Sequence, residues 1–156
     1  IRWGEGPAQR VPELRQLAEW VAKRSEEKHV IDKDIIVVGD FNIPKRDDDL
    51  FRAITSNGLT IPDALLGVSH GTNLARDKRY DQILHLHRYT KTFTAGGVLD
   101  FFRGDWRALF PAASYPKMTK QDFTFELSDH LPLWAQLDTW VDDEALDQFL
   151  ARRKRG

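Results

Sequence analysis

Residues Asp34-Ile35-Ile36-Val37-Val38-Gly39-Asp40 constrain the fold more than any other stretch of the chain. Its consecutive β-branched side chains are stiff at χ1, weaken a helix and suit a pleated surface. A short apolar run without alternation is expected of a strand covered on both faces, so it predicts a central, buried strand. Ahead of it, Val11 and Pro12 open a helical pattern in which Leu14, Leu17, Ala18 and Val21 recur at spacings of three and four, out to about Glu27. Behind it, Asp47-Asp48-Asp49 precedes Leu50, Phe51 and Ile54, with Gly58 as a stop, which predicts a short helix. Further strands are predicted at 80–86, around 91–94 and at 133–137, and a last helix from about Asp142. This order predicts a mixed α/β (α+β) fold.

A chain of 156 residues with 41% hydrophobic and 30% charged residues is long enough for one compact domain with a real core. No second independent domain is expected. The net charge of -1 neither supports nor excludes a nucleic-acid partner, since a neutral total can hide a local basic face. With no cysteine, any metal must be held by carboxylate, amide or imidazole groups, which favours a hard cation. No apolar run approaches the roughly 18 to 20 residues of a membrane span. The chain opens in mid-phrase at Ile1 and its only methionine is Met118, so an upstream segment is expected; localisation stays open, with the cytoplasm slightly preferred.

Polar, ionisable residues stand at the edges of three apolar strands: Gly39-Asp40-Phe41-Asn42, Tyr80-Asp81-Gln82-Ile83 and Ser128-Asp129-His130-Leu131-Pro132. After the first strand, Phe41 is expected to turn inward and Asp40 and Asn42 to face one site. Taken alone, the same phrase reads as an ordinary turn in which Asp and Asn bond their own backbone. Asp81 interrupts an alternating strand, where a lone carboxylate is costly. An imidazole would satisfy it, and so would a structural pair with Arg79 or Lys78. Asp129-His130 sets a hard oxygen ligand beside an imidazole, although a lone Asp-His is also a common capped turn.

The three phrases together, in this order, resemble the second half of the endonuclease/exonuclease/phosphatase family, whose fold is that of deoxyribonuclease I. The resemblance spans residues 38–137 and is strengthened by the helix and strand ahead of it. It implies half of a four-layer α/β/β/α sandwich over residues 1–141, with 142–156 as an added helix and basic tail. It further implies a Mg²⁺-dependent phosphoesterase, with Mn²⁺ as an alternative ion, acting on phosphodiester bonds, nucleic acid being preferred. Asp40 would orient and deprotonate the attacking water, Asn42 would hold a phosphoryl oxygen, and His130 would stabilise the charge developing on phosphate. Asp81 would fix the His130 imidazole, and Asp129 would help hold the metal. The family's metal-ligating Glu belongs to a first half that has no counterpart here, so this chain alone is expected to be inert and to pair with that half.

The substrate depends on loops, and residues 67–78, with Ser69, His70, Thr72, Asn73 and Arg76, are the expected selector; Asn73 is taken as a substrate-binding residue. A phosphomonoesterase acting on lipid or sugar phosphates, and a non-catalytic interaction domain with an incomplete site, are the alternatives. The basic end Arg152-Arg153-Lys154-Arg155 reads as helix-terminal cations or as a nucleic-acid contact. His29, His70, His85 and His87 show no ligand spacing.

Overall fold

The computed structural model describes residues 6–138, together with Leu146 and Leu150. The proposed boundary at 141/142 and the basic tail lie outside the described residues.

Helix α1 (Pro7–Glu26) starts earlier than the sequence pattern suggests, because Pro7 rather than Pro12 occupies its first turn. Pro12 therefore sits inside the helix, where it removes one backbone donor. Leu14, Ala18, Val21 and Ser25 form its buried stripe, with spacings of four, three and four. Strand β1 (Ile36–Asp40) leads to helix α2 (Asp49–Ile54), capped by Asp48, whose carboxylate accepts the Phe51 N–H at 2.8 Å. Gly58, at φ 88°, turns the chain into the two-residue strand β2 (Leu59–Thr60). Strand β3 (Asp81–Leu86) follows the long loop, then β4 (Phe93–Val98), helix α3 (Lys120–Glu126) and β5 (Leu133–Leu137).

Strands β1, β3 and β2 form one antiparallel sheet in that order, and β4 and β5 form a second antiparallel pair. The protein is thus mixed α/β, with two small antiparallel sheets and three helices among the described residues. The central strand is β3, not β1. Among the described residues β1 has a single neighbour and Val38 is 65% exposed, which corrects the expectation that this run is covered on both faces. The strand predicted around 91–94 begins at Phe93 and continues through Gly96 and Gly97. A Cβ on Gly96 would meet Leu65 at 2.5 Å and one on Gly97 would meet the Trp134 indole at 3.2 Å.

The main core joins α1, α2 and the inner face of the first sheet through Leu14, Val21, Ile43, Ile54, Leu65 and Leu84. A second, smaller cluster gathers Trp106, Met118 and Phe123, with Phe101, Phe102 and Phe110 packed against it. Phe123 is fully buried, with four other rings at centroid distances of 5.0 to 5.3 Å. Truncating such a ring to alanine typically costs about 3 to 5 kcal/mol. Helix α3 carries Phe123 into this cluster and begins with a capping box between Thr119 and Asp122.

Candidate functional site

The register of β1 on β3 sets Asp40, the last residue of one strand, opposite Asp81, the first of the other. One further backbone bond, Phe41 N–H to Tyr80 O at 2.9 Å, extends the pairing beyond both strands. Phe41 is buried while Asp40 and Asn42 are exposed, the alternation expected from the sequence. Asn42 adopts φ 50°, a left-handed conformation that Asn tolerates well. Its backbone N–H donates to Asp40 Oδ1 at 2.8 Å and its amide N–H to Oδ2 at 3.2 Å. The Arg10 guanidinium donates to Asn42 O at 3.0 Å and anchors this turn to α1. The local geometry is therefore the turn that the phrase alone suggested, and that turn also fixes the direction of the Asp40 carboxylate.

His130 arrives from the loop before β5. Its backbone N–H donates to Ser128 Oγ at 2.9 Å, it bridges Asn73 as an isolated antiparallel pair, and the next N–H, that of Leu131, donates to Thr72 O at 2.6 Å. Thr72 is buried, and its Oγ1 accepts the Asp81 N–H at 3.1 Å, so one threonine ties the His130 segment to β3. The result is a 2.8 Å contact between His130 Nδ1 and Asp81 Oδ2, with side-chain exposures of 27% and 23%. A proton on Nδ1, donated to Asp81, leaves Nε2 for an external partner. The Tyr80 ring stacks beside the imidazole at 5.9 Å. The competing pairings for Asp81 do not form: Arg79 donates to the backbone oxygens of Val68 and His70, and Lys78 lies 4.0 Å from Asp77.

Ligand atoms of Asp40, Asp81 and His130 all lie within 4.8 Å of one another. This donor set fits a hard divalent cation, because Mg²⁺ is commonly bound through one or two carboxylates, with waters and substrate oxygens completing its shell. Both carboxylates keep lone pairs beyond those used by Asn42 and His130. Asp129, which the resemblance nominates as the metal ligand, is exposed and stands outside this group. The reason is local: the turn held by Ser128 carries His130 inward and leaves its neighbour at the surface.

The Asn73 side chain is engaged within its own loop. Its amide oxygen accepts the N–H groups of Asp77 and Lys78 at 3.0 and 2.9 Å, and its amide N–H donates to Asp77 at 2.8 Å. That side chain closes its own loop, and its contribution to the site is the backbone bridge to His130. Thr72 and Tyr80 have positions at the site that sequence reasoning did not assign to them. The first was hidden among loop polar residues, and only its burial distinguishes it; the second was marked by its place next to Asp81.

A small cavity of about 10 Å³ beside Asp81 is lined in part by Arg46, Thr72 and Arg79. Burial, with the adjacent Arg79 second, lowers the pKa of Arg46, whose guanidinium caps the backbone oxygens of Leu65 and Leu66. Asp81 also lines an open cleft of about 300 Å³ with Val38, Gly39, Gln82, Ile83 and Leu133. In comparisons with known proteins, no family model and no curated protein matches the chain.

Proposed function

We propose that this chain is the second half of a metal-dependent phosphoesterase of the endonuclease/exonuclease/phosphatase type, hydrolysing phosphodiester bonds, with nucleic acid as the preferred substrate. The observation that carries the reading is the 2.8 Å His130–Asp81 contact beside Asp40, assembled from three phrases distant in sequence. Asp81 holds the imidazole in one orientation, and His130 presents Nε2 to a phosphoryl oxygen. Asp40, steadied by Asn42, binds the attacking water and takes its proton as the new oxygen–phosphorus bond forms. The bond from phosphorus to the leaving oxygen breaks, and that oxygen takes a proton from solvent. Asp40 and Asp81 would hold Mg²⁺ or Mn²⁺, which when bound supplies Lewis-acid charge and a more acidic water.

On this reading the two sheets form one half of a four-layer α/β/β/α sandwich. The β1 edge with its exposed Val38 faces a first half, which brings the remaining metal ligand. The test is hydrolysis of bis-nitrophenyl phosphate, plasmid and inositol phosphates with Mg²⁺ or Mn²⁺, by the chain alone and mixed with the segment upstream of it. Cleavage of diesters by the mixture, lost in Asp40→Asn and His130→Ala, is the expected result. Release of phosphate from monoesters only would replace the reading with the phosphomonoesterase alternative, and inertness of a folded mixture on every substrate would leave an interaction domain.

A further inference from the structure

The aromatic segment between β4 and β5 carries two open pockets that share one residue, Lys120. The first, about 380 Å³, lies between Leu74 and Arg76 of the long loop, Phe102, and the start of α3. The second, about 490 Å³, is walled by Phe110 and Tyr115, with Arg107 and Lys117 at its rim. Each is large enough for one small planar ligand. Neither lining contains an aspartate or glutamate, in a protein whose charges otherwise nearly cancel. Arg76 is offset by the buried Asp100 at 2.7 Å, so Arg107, Lys117 and Lys120 supply the unbalanced charge. Two of these cations rest on rings, Lys120 at 5.1 Å from the Phe102 centroid and Arg107 at 4.2 Å from that of Trp106. A cation stacked in this way is held in place while its N–H groups stay available to an anion.

We propose that the joined pockets form a groove for single-stranded nucleic acid, seating one base beside Phe102 and the next beside Tyr115 and Phe110, with the linking phosphate on Lys120 and flanking phosphates on Arg107 and Lys117. The inference deepens the phosphodiesterase reading and rests on it for the substrate being a polynucleotide. Alternating aromatic faces and cations are the recurrent means of holding unpaired strands, because every base has a π face and every linkage a charge. A duplex keeps its bases stacked inside and cannot use the rings. A lipid or sugar phosphate offers no second planar unit for the second pocket. The groove also opens beside the candidate site. Leu74 follows Asn73, the bridge partner of His130, so their Cα atoms lie within about 10 Å.

The test is fluorescence anisotropy of the full 156-residue chain with a labelled oligothymidylate of about a dozen nucleotides, in EDTA so that no hydrolysis intervenes. Titrations run between about 50 and 200 mM salt. The combined variant Arg107→Gln, Lys117→Gln, Lys120→Gln should flatten the salt slope by about 2, at roughly 0.7 per lost phosphate contact. Tyr115→Ala should weaken binding by at least about 5-fold, the lower end of what one stacked base contributes. Thermal melts of both variants check that the fold persists, and Lys117→Gln alone, at an exposed position, provides a variant that cannot fail through misfolding. Absence of binding, binding unchanged by these substitutions, or equal affinity for the corresponding duplex would each overturn the groove. Because the readout needs no metal and no turnover, a catalytically inert protein that binds the strand retains the groove and refutes only the hydrolase.

Discussion

Replacing Gly71 with alanine should destabilise the protein by about 3 kcal/mol and disturb His130 without touching it. A Cβ at this position would stand 2.2 Å from Lys78 O, 2.5 Å from Lys78 N and 2.7 Å from Lys78 C. All three are backbone atoms, so no rotamer change relieves the clash, and the two ends of the loop must separate by about 1 Å. That movement stretches the Thr72 N–H bond to Lys78 O, now 2.7 Å, and the Lys78 N–H bond to Asn73 Oδ1, now 2.9 Å. Overpacking of this kind costs roughly 1 to 3 kcal/mol and each lost hydrogen bond about 1 kcal/mol. At a urea slope near 2 kcal/mol/M, the unfolding midpoint falls by about 1.5 M. Gly67→Ala is the control, because nothing lies within 4 Å of a Cβ there, and it should stay within about 0.5 kcal/mol of the parent. Since Thr72 and Asn73 carry the backbone contacts to Leu131 and His130, the imidazole Nδ1–H resonance should shift in Gly71→Ala and not in Gly67→Ala. Equal melts for the two variants would refute the reasoning.

In the chain mixed with its upstream segment, Asp40→Asn and His130→Ala should each lower diester turnover by about 10²- to 10³-fold at unchanged melting temperature, as loss of one preorganised charge does. Asp81→Asn should lower it further than loss of the contact alone suggests, because an amide can hold the imidazole in the wrong tautomer; full activity in that variant would remove Asp81 from the mechanism. His85 is 2% exposed, and burial, opposed only by the Thr90 backbone and Asp63, pushes its pKa below the ordinary 6.5. Its contribution is therefore complete above about pH 6.5 and is lost as pH falls through the lowered value, at no more than about 1.4 kcal/mol per pH unit. His85→Phe should flatten that part of the stability profile, measured as urea midpoints between about pH 7.5 and 5.5. Asp48→Ala removes the cap of α2 and should cost about 1 kcal/mol by thermal melt.

What could be read in advance depended on how local the physics was. Helix α2 announced itself because its cap, acidic first turn and terminal glycine lie within a dozen residues, whereas a carboxylate in an apolar strand asked only for some partner, and the resemblance alone singled out His130 for Asp81. The position of β1 was misread because a run of Ile and Val reports apolar character, not how many neighbours a strand finds. The segment 101–127 was silent because Phe101, Phe102, Trp106, Phe110 and Phe123 follow no period of two or 3.6; rings meeting edge to face order it, a property of tertiary contact alone. The roles of Asn73 and Asp129 turned on side-chain direction within loops, where composition carries no such information.

The pairing of Asp40 with Asp81 across two antiparallel strands makes the centre an all-or-none assembly. Side chains alternate faces along a strand, so a slip of one residue by edge strand β1 along β3 would carry Asp40 to the other side of the sheet, away from Asp81 and His130. No graded sequence of partly formed centres connects the two registers. Perturbations near the strand ends, such as loss of the Phe41–Tyr80 backbone bond, should therefore divide molecules into a population with the intact centre and one without it. Slow exchange between two sets of His130 resonances would be the signature of that division, and the remaining function would scale with the fraction in register.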